Sequence, residues 1–177
     1  MTKQELEIAT IKERTLKIPL SDADCDRLAS LCGEYGISVS VLIKNFIGDL
    51  VDGTYSNGSD ERYYARRWFD RCWFSWYPEL QETLLSHLLA WGYDPEEYLD
   101  ILDDIETAKE EKEYLAEHPE EADEEDQYID DYIADWEEKL RDMQKCSFWE
   151  PKKEPNMEEE IELIKKWVME RNSLINN

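Results

Sequence analysis

With only 6 glycines and 6 prolines in 177 residues, the chain has little turn material for a fold of many short strands. It has just two histidines, and it lacks an H-E-x-x-H pair, a glycine-rich phosphate loop and a nucleophile elbow. His87, beside Leu84 and Leu88, reads as a helix-surface or core residue, and His118 as a helix-end residue. The acid run 120–126 lacks the central glycine of a calcium loop. Carboxylates are so numerous that no pair stands out as acid and base. The expectation is a protein that is not an enzyme and carries no cofactor or metal. No apolar run approaches the roughly 18–20 residues of a membrane span, and MTKQELEIATIKER has no apolar signal-peptide core. A cytoplasmic protein without membrane contact is expected. Cys25, Cys32, Cys72 and Cys146 include no C-x-x-C pair, and Cys25 and Cys32 lie about 10 Å apart along one helix axis, beyond disulfide reach. They read as reduced thiols acting as small buried hydrophobes.

What the chain has is charge of one sign: 44 acidic against 20 basic residues, net -24. The excess is uneven. Residues 1–52 carry net -3, residues 53–80 balance, and residues 81–177 hold 10 basic against 31 acidic, net -21. With 7 Trp, 10 Tyr and 41% hydrophobic residues, this is too rich in core material for a disordered acidic tail. A mainly α protein is expected, with a head over 1–52, a Gly-, Ser- and Asn-bearing linker over 53–59, and an acidic, aromatic-rich helical body over 60–177.

In the head, Leu16, Ile18 and Leu20 alternate with Lys17 and Pro19, the period of a short strand. Ser21 or Asp22 offers an N-cap for a helix with Cys25, Leu28, Leu31, Cys32 and Tyr35 at helical spacing, ended by Gly36. Ser38 or Ser40 can cap a second helix with Val39, Leu42, Ile43, Phe46, Ile47 and Leu50 on one face. A strand this short cannot cover both apolar stripes, so a partner surface is needed.

The stretch TLKIPLSDADCDRLASLCGEYGISVSVLIKNFI resembles the ribbon-helix-helix repressors and antitoxins. The resemblance rests on the alternating strand, Leu28, the turn from Gly36 to Ser40, and Leu42-Ile43. It implies that two chains pair their strands into a ribbon entering the major groove. Thr15, Lys17 and Pro19 would then face the bases, while backbone amides near Ser38 and Ser40 hold a phosphate at a helix N-terminus. Pro19 departs from the polar or basic residue usual at that site, and it lacks the N–H of a paired strand.

Residues 60–77 predict a helix with Ala65, Trp68, Phe69, Cys72, Trp73 and Trp76 on one face and Tyr63, Arg67, Arg71 and Phe74 on another. Such a mixture suits a single-strand stacking platform. It equally suits tryptophans in a core and arginines paired with nearby carboxylates. Next come a helix over 79–91 with Leu80, Leu84, Leu88 and Trp91 inward, a helix opened by Asp94-Pro95 and running to about Glu117, and a second long helix after the acid run. The first of these two long helices shows Tyr98, Ile101, Leu102, Ile105, Ala108 and Leu115 at helical spacing. The second shows Ile129, Tyr132, Ile133, Trp136, Leu140 and Met143, so together they predict a long antiparallel helical hairpin. A final helix carries Ile161, Ile164, Trp167, Val168 and Ile175.

The hairpin's outer carboxylates are the candidate partner surface: Asp103, Asp104, Glu110 and Glu111 on one arm, Asp130 and Asp131 on the other, and Asp123, Glu124, Glu125 and Asp126 at the tip. Like charges at i, i+3 and i+4 oppose helix formation, which argues for a use beyond solvation. Two functions follow, beside the plainer reading of a helical scaffold with no nucleic-acid role. In the first, the body is a DNA mimic that occupies the channel of a basic nucleic-acid-binding protein, while the head dimerises the chain or represses its own gene. By charge and layout the chain looks like phage or mobile-element anti-defence proteins, including anti-CRISPR proteins with a DNA-binding domain, which makes a CRISPR effector the implied partner. In the second, the chain is a ribbon-helix-helix transcriptional repressor or antitoxin that binds operator DNA as a homodimer.

Overall fold

The computed structural model describes residues 2–72, 83–122, 126–145 and 156–176. All regular structure among them is helical. The chain divides into two compact units, Met1–Tyr77 with Asn177, and Pro78–Asn176. The first unit therefore runs past the linker that sequence suggested at 53–59.

Unit 1 holds α1 (Lys3–Ala9), α2 (Asp22–Glu34), α3 (Val39–Leu50) and α4 (Ser59–Arg71). Ser21 caps α2 by accepting from the Asp24 amide at 3.1 Å, and Ser38 caps α3 by accepting from the Val41 amide at 3.2 Å. Between them Gly36, at φ +69°, turns the chain, and the Ile37 amide reaches back to the Cys32 carbonyl at 3.0 Å. Residues 11–20 contain no strand. A ribbon strand makes its ladder with a second chain, so one copy alone offers the alternating Leu16, Ile18 and Leu20 no hydrogen-bonding partner. All three are exposed.

Residues 53–58 form a built turn. Gly53 N donates to Gly48 O at 2.8 Å, Ser56 N to Gly53 O at 3.1 Å, and the Lys44 ammonium lies 4.1 Å over the Tyr55 ring. Gly48 is what lets this turn close on α3. A Cβ there would stand 2.6 Å from the Tyr55 carbonyl carbon and 2.8 Å from the Ser56 nitrogen. Both obstacles are backbone, so no rotamer relieves them. Gly48→Ala is expected to destabilise unit 1 by about 1–3 kcal/mol, read by denaturant unfolding, with early loss of amide protection over 53–58.

Unit 2 holds α5 (Leu84–Trp91), α6 (Pro95–Glu117), α7 (Ile129–Gln144) and α8 (Met157–Asn176), with short 3₁₀ turns at Pro119–Glu121 and Asp126–Tyr128. Asp94 caps α6, accepting from the Glu96 amide at 3.0 Å, and Pro95 fills the first helical position. Gly92 ends α5 in the left-handed conformation at φ +77°. The core is one cluster: Leu84 and Leu88 from α5, Tyr98, Ile101, Ile105 and Ala108 from α6, Ile129, Ile133, Leu140 and Met143 from α7, and Ile164 from α8. Lys109 pairs with Glu137 at 2.9 Å, Glu97 with Lys139 at 2.7 Å, and Lys112 with Asp130. Partners rise along α6 as they fall along α7, so the two helices form an antiparallel hairpin.

Some expected core residues are outside it. Trp91, Tyr132 and Ile175 are about half exposed, as are Leu31 and Trp68 in unit 1. Cys32 is buried, but Cys25 and Cys72 are exposed, and all three are free thiols. Leu80, Trp73, Phe74, Trp76 and Cys146 lie outside the described residues. Among the described residues no helix is long and apolar enough to cross a membrane.

Candidate functional site

The long arm of the hairpin builds the site. Burial of Tyr98, Ile101, Ile105 and Ala108 turns one stripe of α6 to the core. The rest of its surface, about half of the helix circumference, carries Asp100, Asp103, Asp104, Glu106, Glu110, Glu111 and Glu113, all exposed. None of these seven makes an ion pair among the described residues. The two lysines of α6 are drawn across to α7, Lys109 to Glu137 and Lys112 to Asp130. Lys109 also holds the Glu137 carboxyl below its usual range, chiefly by hydrogen bonding. Between Asp103 and Glu113 six carboxylates span about 15 Å of helix at 1.5 Å per residue. That is one charge per roughly 2.5–3 Å, close to the 3.4 Å of a single DNA strand.

The other predicted partner residues divide. Asp131 is exposed and makes no ion pair among the described residues, whereas Asp130 is held by Lys112 and so belongs to the internal register of the hairpin. Asp126 opens a 3₁₀ turn and is partly buried. Asp123, Glu124 and Glu125 lie outside the described residues. Near the hairpin tip, Tyr114 donates to Glu121 at 2.9 Å and its ring meets that of His118 at 4.5 Å.

Sequence reasoning missed a groove beside this line. It is lined by Asp100, Asp103, Glu106 and Lys165 together with Leu99, Leu102 and Ile161, with a volume of about 450 Å³. The i, i+3, i+6 spacing of the three acids was readable, but the α8 wall comes from far along the chain.

In unit 1, Thr15 and Lys17 are exposed in the non-helical segment before α2, with no polar partner among the described residues. Ser38 and Ser40 sit together at the start of α3, their hydroxyls 2.9 Å apart. No hydrogen bond joins the two pairs among the described residues. A stronger electrostatic feature, unforeseen from sequence, is Asp49. It is 8% exposed, and accepts from the Asn57 amide at 2.6 Å and the Asn57 side chain at 2.8 Å. The Asn57 side-chain bond leads in holding its carboxyl below the usual range, against the opposing effect of burial. A depressed folded-state pKa contributes stability that is complete above the unfolded value of 3.8 and is lost as pH falls through the folded value. The melting-temperature gap between the native chain and Asp49→Asn is therefore expected near neutral pH and to close below pH 3.8, as followed by circular dichroism.

Among the described residues no group of three or more His, Cys, Asp and Glu side chains is placed to hold a metal ion. The arrangement displays negative charge on a helical support held by its buried face. In comparison with known proteins, the chain matches no family model, no curated protein and no solved structure.

Proposed function

We propose that this chain is a non-enzymatic acidic inhibitor. Its hairpin occupies the basic nucleic-acid-binding surface of a partner protein such as a CRISPR effector, in the manner of a DNA mimic of phage or mobile-element origin. One observation carries the reading: the exposed line from Asp103 to Glu113, whose neighbouring lysines are committed to α7. Core burial holds these charges on the outer half of one helix, a fixed display that a solubilising surface would not need.

In the same reading the head is a ribbon-helix-helix unit for dimerisation or autorepression. Support comes from what one copy leaves uncovered. Cys32 and Ala65 are the buried apolar side chains described in unit 1, while Leu16, Ile18, Leu20, Leu31, Tyr35 and Val51 are exposed. A unit this small is marginal even with a full core, and a second copy supplies both the missing strand partner and the missing cover. The same exposed segment favours the alternative reading, a dimeric repressor or antitoxin contacting operator DNA through Thr15 and Lys17.

The test is capture from a nuclease-treated host lysate with the tagged full-length chain, eluted by rising salt. Recovery of a basic nucleic-acid-binding protein that added DNA or RNA displaces is the expected result. A small toxin-like protein that nucleic acid does not displace would overturn the inhibitor reading in favour of the antitoxin.

A further inference from the structure

In a chain with 44 acidic residues the arginines of α4 ought all to find carboxylates. Two do: Arg62 pairs with Asp52 at 3.0 Å, and Arg66 with Asp70 at 3.5 Å while lying over the Phe69 ring. Arg67 and Arg71 are exposed and make no ion pair among the described residues. Beside them Tyr63 and Tyr64 are 60% and 69% exposed, with ring centroids 5.5 Å apart. Steps of four put Tyr63, Arg67 and Arg71 in one row, about 6 Å apart along the axis, and Tyr64 lies next to it. Packing on α3 uses another face of α4, where Ala65 is buried.

We propose that this face of α4 binds single-stranded nucleic acid, the tyrosine rings stacking on bases and the two guanidinium groups meeting phosphates. Charge complementarity alone would admit any polyanion, and the rings decide among them. An acidic protein surface would engage Arg67 and Arg71 but give two exposed aromatic rings nothing flat to meet. A duplex hides its base faces inside the stack, and two cations in a row are few for a surface bound through phosphates alone. A single strand matches both kinds of side chain. This proposal does not rest on the acidic residues of α6, and either stands if the other fails.

The test uses the full-length chain and a labelled short oligothymidylate, with fluorescence anisotropy read across a salt series. Tyr63→Ala/Tyr64→Ala should weaken binding at least about 10-fold, given the usual loss per stacked base. Arg67→Ala/Arg71→Ala should weaken it and flatten the log–log salt dependence by about 1.4, from roughly 0.7 per cation on a single strand. All four side chains are exposed, so unchanged circular dichroism is expected and excludes unfolding as the cause. The proposal is overturned if the native chain does not bind the strand, if neither double variant changes binding, or if polyglutamate competes for the stripe as well as the strand does.

Discussion

Replacing Asp103, Asp104, Glu110 and Glu111 by their amides (D103N/D104N/E110Q/E111Q) is expected to move affinity and stability in opposite directions. Each acid is exposed and makes no ion pair among the described residues, so each is available to a cation on the partner. At about 0.5–1 kcal/mol per screened charge pair, losing four costs roughly 2–4 kcal/mol, a 30- to 1,000-fold loss of affinity. The same changes relieve like-charge contacts along α6, such as Asp100 with Asp103 and Asp104, Glu106 with Glu110, and Glu110 with Glu113. At about 0.2–0.5 kcal/mol each these return roughly 1–2 kcal/mol to the fold, or a few degrees in melting temperature. Calorimetry of the captured complex and thermal unfolding of the free variant measure the two sides. A variant that binds as tightly as the native chain would sink the mimic reading. Weaker binding by a more stable protein could not be blamed on misfolding.

Tyr98→Ala tests the support beneath that row. Tyr98 is 1% exposed, and its hydroxyl accepts a hydrogen bond from the Gln144 amide at 2.6 Å, tying the start of α6 to the end of α7. Burial raises its pKa, as expected for a phenol kept neutral in an apolar core. Truncating a buried aromatic costs about 3–5 kcal/mol, a large share of the 5–15 kcal/mol typical of a whole domain. The hairpin should lose cooperative unfolding and its amide protection, and partner capture should fail although every carboxylate remains. Tyr98→Phe keeps the packing but strands the Gln144 amide, so a loss of only about 1–2 kcal/mol is expected. Equal losses for the two variants would mean that the hydrogen bond, not the ring, holds the hairpin end.

The sequence was most readable where burial and local chemistry agree. Asp94-Pro95 started α6 as written, and the spacing of Tyr98, Ile101, Ile105 and Ala108 marked its buried face. The antiparallel hairpin followed from two long amphipathic helices and a short break, and ion pairs between α6 and α7 fixed its register. Where side chains of one kind outnumber the available core, periodicity misleads. Tyr132 keeps helical spacing with Ile129 and Ile133, yet is half exposed because the α7 interface is narrower than its apolar stripe. Glycine and serine over 53–59 suggested slack, but Gly48 and Asp49 of α3 make that segment a fitted turn, a contact that composition does not encode. Whether Asp130 faces a partner or Lys112 likewise depended on the register of the finished hairpin.

The first turn of α5 has a further dependence. The Leu84 amide donates to the Glu160 carboxylate at 2.7 Å, an acceptor 76 positions later in the chain. At about 5–20 residues per second of synthesis, that acceptor arrives roughly 4–15 s after the donor has been made. Until it does, Leu84 and Leu88 lack α8 as cover, and the apolar side of α5 stays open to whatever else the cell offers. A nascent-chain binding factor would find a transient target there, and a slow codon stretch ahead of Glu160 would lower the yield of folded protein without altering one residue of it.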